Sequence, residues 1–412
     1  MHTDLLGFAN QALTAGQLAA AEIACRDLLD VEPRDAAAWH LLGFIAARVG
    51  AREQALAYFQ TALEIEPDNE RIRENLAAVR SLAEPDLPPG QRYLLIKSWG
   101  FGFWADVVHV LGSALLAEIT GRIPLTWWGP SSLFGDKSGA DAFQCYFEPL
   151  SGVSLEDLAR LKQPSFFPPR WNTGNLVQTG LSKWEGKGSR AGAVYFLNRP
   201  ETVAVSDFHI GAVNVLPWLP AHHPMAGKSL SDIYRYLTAR YLKPRAEIVA
   251  ACDAFLAAHL AQGPFVAVHM RGSDKALEDP GLEAAHHALL EALAAVDPSW
   301  RILLLTDDAR CLARVKDIYG SRVAATDCQR TSTAEGVHYL AATDPLWAGR
   351  EIMIDTYLAL RADRFIGNGL SNVSAMIAVM KDWAAGTCTL TGRSLLTDRN
   401  LRLYQMPVSP AL

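Results

Sequence analysis

The apolar positions of this chain change their spacing near residue 90. Over the first 80 residues they recur three and four apart, the spacing of helices that bury one face. From Arg92 onward they fall into short uninterrupted runs separated by longer helix-type stretches. RYLLIKS (92–98) and IPLTWWG (123–129) are of strand type, with the Gly-containing turn WGFGFW and the helix-like ADVVHVLGSALLAEITG between them. This strand, turn, helix, strand order opens a doubly wound α/β domain. From Ser131 to Leu216 the chain is rich in Pro, Gly and Trp, and no period places its elements. Two helical segments follow, broken near Pro244. A second alternation begins at Pro264, with strand-type FVAVHM, RILLLT, RVAAT and RFIGN. The helix-type stretches with them are GLEAAHHALLEALAAV, a segment from about Asp308, GREIMIDTYLALRA and SNVSAMIAVMKDW. Strands that all lead onward in the same sense predict a parallel sheet with helices on its faces.

The N-terminal helices repeat. Trp39, Leu42, Gly43, Ala46, Ala55, Phe59, Ala62 and Pro67 form one unit, and Pro33 precedes Pro67 by 34 residues. Leu5, Phe8, Ala9, Ala12, Ala21, Cys25 and Leu28 take the equivalent places of a weaker first unit. NERIRENLAAVRSL (69–82) starts a third that stops after one helix, as a cap does. The period and the small residues at close-approach positions are similar to those of tetratricopeptide repeats. The Pro-rich AEPDLPPGQ (83–91) follows as a linker.

Composition narrows the function classes. At 412 residues the chain has room for more than one core. A net charge of −6 with scattered Lys and Arg gives no electrostatic reason to expect nucleic acid or an anionic membrane surface. The six cysteines are far apart and form no CxxC pair, which argues against zinc and against a disulfide framework. The N-terminal stretch has no secretory pattern, and no apolar run reaches the ~18 residues of a spanning helix. A cytoplasmic protein with no integral membrane segment is expected.

Ligands of parallel sheets sit beyond the carboxyl ends of the strands, so those positions are read together. After FVAV come His269, Arg271, Ser273, Asp274 and Lys275; after RILLL come Thr306, Asp307 and Asp308. After RFI come Gly367, Asn368, Gly369, Ser371 and Asn372, opening a helix. The two glycines allow a tight turn, Ser371 stands at an N-cap, and the helix N-terminus offers N–H groups to an anion. Arg271 adds a fork that matches phosphate oxygens and Lys275 a mobile charge. Together these describe a diphosphate site held without a metal. Each group alone has a plainer reading: His269 as a core histidine, Asp307 as a helix cap, GNGLSN as a turn and cap, Arg271 as an ion-pair residue.

These three groups, in this order, resemble the motifs of GDP-fucose-dependent transferases, the α1,6-fucosyltransferases and O-fucosyltransferases. HMRGSDK is similar to the family's HxRRTDK-type motif, LLLTDDARCLARVKDIYG to its second, and EIMIDTYLALRADRFIGNGLSNVSAMIAVM to its third. The likeness covers about Pro264 to Trp383 and leaves out the repeats. It implies the GT-B fold, two Rossmann-like domains with the nucleotide-sugar in the C-terminal one. It assigns Arg271 to the β-phosphate and the departing GDP, and His269 and Asp355 to guanine. Lys275 and Ser371 assist the diphosphate, while Asp307 and Asp308 shape the pocket. The family's base corresponds to Glu278 or Asp279, with Glu278 ranked first. Two departures bear on the donor: Gly272 replaces the motif's second Arg, which removes one contact, and the turn reads G-N-G.

In the first half, Gly100 and Gly102 separate strand from helix, either as a plain tight connection or as a loop facing the cleft. In the latter case Phe103, Trp104, Asp106 and His109 meet the acceptor or donor sugar, with Trp127 and Trp128 as further stacking candidates or as core. The expected architecture is an all-α repeat domain (1–82), a linker (83–91) and an N-terminal, acceptor-side Rossmann-like domain (92–245). The C-terminal nucleotide-sugar domain (246–390) and a tail (391–412) complete it. The expected function is metal-independent inverting transfer of a sugar, fucose from GDP-fucose first, to a glycan or protein acceptor. No cofactor or metal is needed, and the repeats recruit the acceptor or a protein partner. A GT-B transferase with another nucleotide-sugar and a non-catalytic repeat scaffold are the alternatives.

Overall fold

The computed structural model describes residues 2–82, 87, 89–135, 139–178, 192–206, 209–273, 280–333, 335–340 and 343–397. Five helices come first: α1 (His2–Thr14), α2 (Leu18–Val31), α3 (Ala36–Arg48), α4 (Arg52–Ile65) and α5 (Glu70–Ser81). Asp35 and Asn69 start α3 and α5 as N-caps, each carboxylate or amide oxygen accepting an N–H of the first turn. The apolar stripe of each helix is consumed by its neighbours, with Ala9, Ala21, Leu42, Ala55 and Phe59 fully buried.

Two parallel sheets follow. The first has strand order β2–β1–β4–β3, from β1 (Tyr93–Lys97), β2 (Ile123–Trp127), β3 (Phe166–Phe167) and β4 (Val203–Ser206). Helix α6 (Phe103–Ile119) packs on it between β1 and β2, and the short α7 (Leu155–Ala159) and α8 (Ala212–Val215) lie in the irregular stretch. The helices α9 (Leu230–Tyr241) and α10 (Ala246–His259) separate the sheets. The second sheet has order β7–β6–β5–β8–β9, from β5 (Phe265–His269), β6 (Arg301–Leu305), β7 (Val323–Ala324), β8 (Arg364–Asn368) and β9 (Cys388–Thr391). Its helices are α11 (Leu282–Ala294), α12 (Ala309–Tyr319), α13 (Pro345–Ala359) and α14 (Asn372–Met380). The central strand β5 is buried along its whole length, as a run of apolar residues covered on both faces requires. Its register pairs His269 with Leu305 and with Gly367, so the three central strands end level.

Three strands were not legible in the pattern: β3, β4 and β9. The first is two residues long, β4 is VAVS between loops, and β9 is half-exposed at a sheet edge. Among the described residues no helix is long and apolar enough to cross a membrane.

The repeats do not hang from the linker, most of which lies outside the described residues. They share one continuous core with the first α/β unit and are pinned to it by polar contacts. Tyr58 donates its hydroxyl proton to Pro217 O (3.2 Å), Gln54 Nε2 to Trp218 O (3.3 Å) and Asn198 Nδ2 to Val49 O (3.0 Å). The Trp218 ring faces both Arg26 and Tyr58, and Arg26 is itself paired with Glu22 on α2. Helices α2 and α4 therefore form the docked side.

Helix α6 reaches the loop after β4 only because residue 112 has no side chain. A Cβ at Gly112 meets Ile210 O at 2.2 Å, a backbone atom with nowhere to go. Gly112→Ala is expected to lower unfolding free energy by about 1–3 kcal/mol, the usual cost of overpacking a core. Chemical denaturation measures it; an unchanged midpoint contradicts this packing.

Candidate functional site

Because β5, β6 and β8 end level, the residues that follow them meet at one edge. Asp307, just past β6, is the centre of the arrangement. Its carboxylate accepts from the Gly272 N–H (2.9 Å) and the Ser273 hydroxyl (2.5 Å), and it pairs with Arg271 Nη1 at 3.0 Å. Burial pushes this carboxyl up, but the Arg271 guanidinium, the Ser273 hydroxyl and the Gly272 N–H outweigh it and hold Asp307 below the usual carboxylate range. The turn they hold is tight, with Ser273 in the left-handed region at φ 44°. His286 of α11 fixes it from behind, its Nε2 donating to Arg271 O at 2.8 Å.

Asp308, not Asp307, caps the next helix. Its carboxylate accepts from Arg310 N at 2.7 Å and is paired with the Arg310 guanidinium. Asp308 also settles the question of Gly272. A Cβ there falls 2.3 Å from Asp308 Cβ, so no side chain fits at this position. The glycine is therefore demanded by the packing of Asp308, and the position gives its N–H to the site instead of a guanidinium. Gly367 and Gly369 likewise serve close approach, and Gly369 also lies in the turn closed by Ser371 N donating to Asn368 O (3.0 Å). A Cβ on the first meets Ser374 Oγ at 2.5 Å and on the second Arg393 O at 2.4 Å.

His269 ends β5 almost fully buried, with Nδ1 2.7 Å from Ser374 Oγ. Burial pushes its pKa down to about 4, so the ring is neutral at pH 7. Asn368 Oδ1 accepts the Leu370 N–H (2.9 Å) and shapes the turn into α14. Ser371 is the N-cap residue of α14, and its hydroxyl takes none of the first-turn N–H groups. That end of α14, with its partial positive charge, lines the same cavity as Arg271.

Two adjoining cavities share Arg271, Phe134, Ile352 and Val373 as walls. The inner one lies over the end of β6 and is lined by His269, Thr306, Asp307, Gln329, Glu351 and Asp355 among others. The outer one lies between the α/β units and is lined by Phe101, Gly102, Phe103, Trp104, Tyr339, Leu370, Ser371 and Asn372 among others. Asp355 accepts from Thr326 Oγ1 at 2.6 Å, and burial pushes its carboxyl up to about 6. Glu351, one turn earlier on α13, accepts from Gln329 N and Trp347 Nε1, and burial pushes it up as well. Arg330 braces the loop above them by donating to Thr306 O, Cys328 O and Thr326 O.

The sequence reading missed Glu351, Gln329 and Phe134. For Glu351 the available signal was its place four residues before Asp355 on one helix face.

Of the residues expected in the first half, Gly102, Phe103 and Trp104 line the outer cavity, although both rings are deeply buried. Gly100 turns the chain at φ +87°. Asp106 and His109 are corrections. Asp106 is fully buried, its carboxylate accepting the N–H groups of Trp99, Gly100 and Phe101. His109 is also fully buried, accepting the Ile210 N–H and lying 3.1 Å from Ser206 O. Both hold the loops of the cleft and do not face it. Trp127 and Trp128 are core residues, Trp128 edge-on to Phe103 and Phe143. Asp274, Lys275, Glu278 and Asp279 lie outside the described residues. Among the described residues no group of three or more His, Cys, Asp or Glu is arranged to hold a metal ion.

Compared with solved structures, the chain is similar to the fucosyltransferase NodZ from Bradyrhizobium. The two share 20% identity over 70% of this chain and 93% of that one, with a TM-score of 0.49. The chain resembles solved fucosyltransferases. It is also similar to a variant of Arabidopsis thaliana FUT1 in complex with GDP (13% identity, 77% of this chain and 74% of that one, TM-score 0.45). A third likeness is to POFUT1 in complex with GDP (14% identity, 74% and 99%, TM-score 0.43). No family model and no curated protein matches the chain.

The raised Asp355 carboxyl has a consequence for stability. Between its ordinary value of 3.8 and about 6 the native state binds more protons than the unfolded chain, so this group's contribution falls as pH rises through that window. The lowered His269 acts in the opposite sense between about 4 and 6.5. Asp355→Asn removes only the first. Relative to the unsubstituted chain the variant is expected to gain stability between pH 4 and pH 7, by at most about 3 kcal/mol. Denaturant titrations at the two pH values measure it, and an offset independent of pH contradicts the assignment.

Proposed function

We propose that this chain is an inverting glycosyltransferase that takes its sugar from a guanosine diphosphate donor, GDP-fucose first. The observation that carries the reading is Arg271 in the walls of both cavities, the outer of which it shares with the N-terminus of α14. A planar guanidinium and helix N–H groups converging on one point suit a diphosphate. The inner cavity then takes the nucleoside. Two carboxylates stand there one turn apart, Glu351 and Asp355. Ionised carboxylates only accept hydrogen bonds, so they favour a base edge with adjacent donors, which guanine has and uracil lacks. His269, neutral and buried, stands beside them.

In the reaction an acceptor hydroxyl oxygen attacks the anomeric carbon while the bond from that carbon to the β-phosphate oxygen breaks. Glu278 or Asp279 takes the hydroxyl proton. Arg271 and the α14 N-terminus receive the charge that develops on the departing GDP, the step where fixed positive charge contributes most. Lys275 adds a further charge at the diphosphate. In this reading no divalent cation is needed for the leaving group. The five N-terminal helices act as a tetratricopeptide-type module that recruits the acceptor or a protein partner. With α2 and α4 docked, recruitment falls to α1, α3 and α5.

Thermal unfolding in the presence of GDP, UDP, CMP or dTDP tests the donor. A ligand at 100 times its dissociation constant adds about 2.7 kcal/mol to native stability. GDP is expected to raise the melting temperature by a few degrees and the others not to. Arg271→Ala should weaken GDP by about 10–100-fold, the worth of a charge-assisted contact. Selective stabilisation by UDP, or GDP binding unchanged in the variant, overturns the reading.

A further inference from the structure

We propose that Glu351 and Asp355 hold one proton between them while the inner cavity has no nucleotide, and that a guanine base drives it out. Donor binding is then coupled to proton release. The proposal rests on the donor reading above and adds to it a dependence on pH.

The two carboxylates stand one turn apart on α13 and line the same cavity. Among the described residues neither has a cation as partner. The guanidiniums nearby are engaged elsewhere. Arg330 donates Nε, Nη1 and Nη2 to the carbonyls of Thr306, Cys328 and Thr326, and Arg271 pairs with Asp307. Only neutral donors reach the pair: Thr326 Oγ1 for Asp355, and Gln329 N and Trp347 Nε1 for Glu351. The second oxygen of Asp355 takes no donor among the described residues.

Two negative charges so placed, away from bulk water and without a counter-ion, cost far more than one. A proton held by the pair removes that cost. Burial accordingly pushes both carboxyls up, Asp355 to about 6, although Arg330 draws Asp355 the other way. The other titratable groups around the pair keep one state. Cys252 of α10 and Cys328 are thiols that burial pushes up to about 11 and about 12, so they stay neutral. His269 is neutral above about 4, and Arg271 keeps Asp307 ionised despite its burial.

Guanine replaces what the proton does. Its ring N–H and exocyclic amine are adjacent donors, and each suits an ionised carboxylate; a carboxyl that kept its proton would set donor against donor. The carboxyl O–H bond breaks, the proton passes to solvent, and a base N–H bonds to the oxygen it leaves. The nucleotide therefore selects the ionised pair. Acid weakens donor binding, and the effect fades once the pH is well above the value at which Asp355 ionises.

Calorimetric titration of the full chain with GDP-fucose tests this, at pH 6 in MES, PIPES and bis-tris. These buffers differ in ionisation enthalpy, so the spread of observed heats counts the protons released. GDP itself is unsuited, because its terminal phosphate has a second pKa of about 6 and sheds a proton of its own; in GDP-fucose both phosphates are esterified. About half a proton is expected to leave per nucleotide at pH 6 and almost none at pH 8, with binding about tenfold weaker at pH 5 than at pH 7.5. Asp355→Asn should abolish the release and Glu351→Gln reduce it. A merely structural role would lower affinity in these variants and leave the proton count unchanged. Binding without release at pH 6, or release that persists in Asp355→Asn, overturns the proposal and leaves the donor reading standing. If neither GDP-fucose nor GDP binds at any of these pH values, the donor reading fails and this one with it.

Discussion

The Asp307 carboxylate gathers the Arg271 guanidinium, the Gly272 N–H and the Ser273 hydroxyl into one tight turn, and the geometry of the cleft follows from that grip. The guanidinium has five N–H donors in a fixed plane. Asp307 takes one side of that plane, which leaves the position of Arg271 settled before any ligand arrives. The neighbouring Asp308 completes the constraint by packing so closely on residue 272 that only glycine fits. Two adjacent acids at the end of one strand thus shape the turn at the end of the next.

Helix α13 ties the cleft to the rest of the molecule. On one side it carries Glu351 and Asp355 into the inner cavity. On the other it receives the first α/β unit: Trp104 Nε1 donates to Thr356 Oγ1 (3.0 Å) and the Tyr146 hydroxyl to Leu346 O (3.3 Å). Gly349 lies so close to Tyr146 that a Cβ falls 2.3 Å from its hydroxyl oxygen. The N-terminal half also contributes Phe134 to both cavities. The inner cavity is therefore built across the units, although most of its polar groups come from the second.

What was legible in the sequence follows physical rules. Strands β5, β6 and β8 are covered on both faces, so they read as apolar runs, and the groups just after them could be assembled without coordinates. Arg271, Asp307 and Ser371 came from that rule. Strand β4 gave too short a signal, at four residues, although it pairs with β1 in the middle of its sheet. Gln329 reaches the site only because the loop before Thr331 folds against the end of β6, a contact that no local pattern encodes. Asp106 and His109 misled for the opposite reason. Polar residues in the first turns after a glycine loop suggest a cleft, yet here they satisfy buried backbone groups, which is costly to leave undone.

The docking of the N-terminal helices through Trp218, Tyr58 and Gln54 fixes where they stand relative to the first α/β unit. A module on a loose linker raises the local concentration of whatever it holds, within a sphere set by linker length. Helices joined to the neighbouring unit by a shared core, as here, stand in one direction and at one distance from the cleft. Under the proposed recruitment role, selection among acceptors includes their dimensions: one whose hydroxyl falls short of Arg271 is held but not modified.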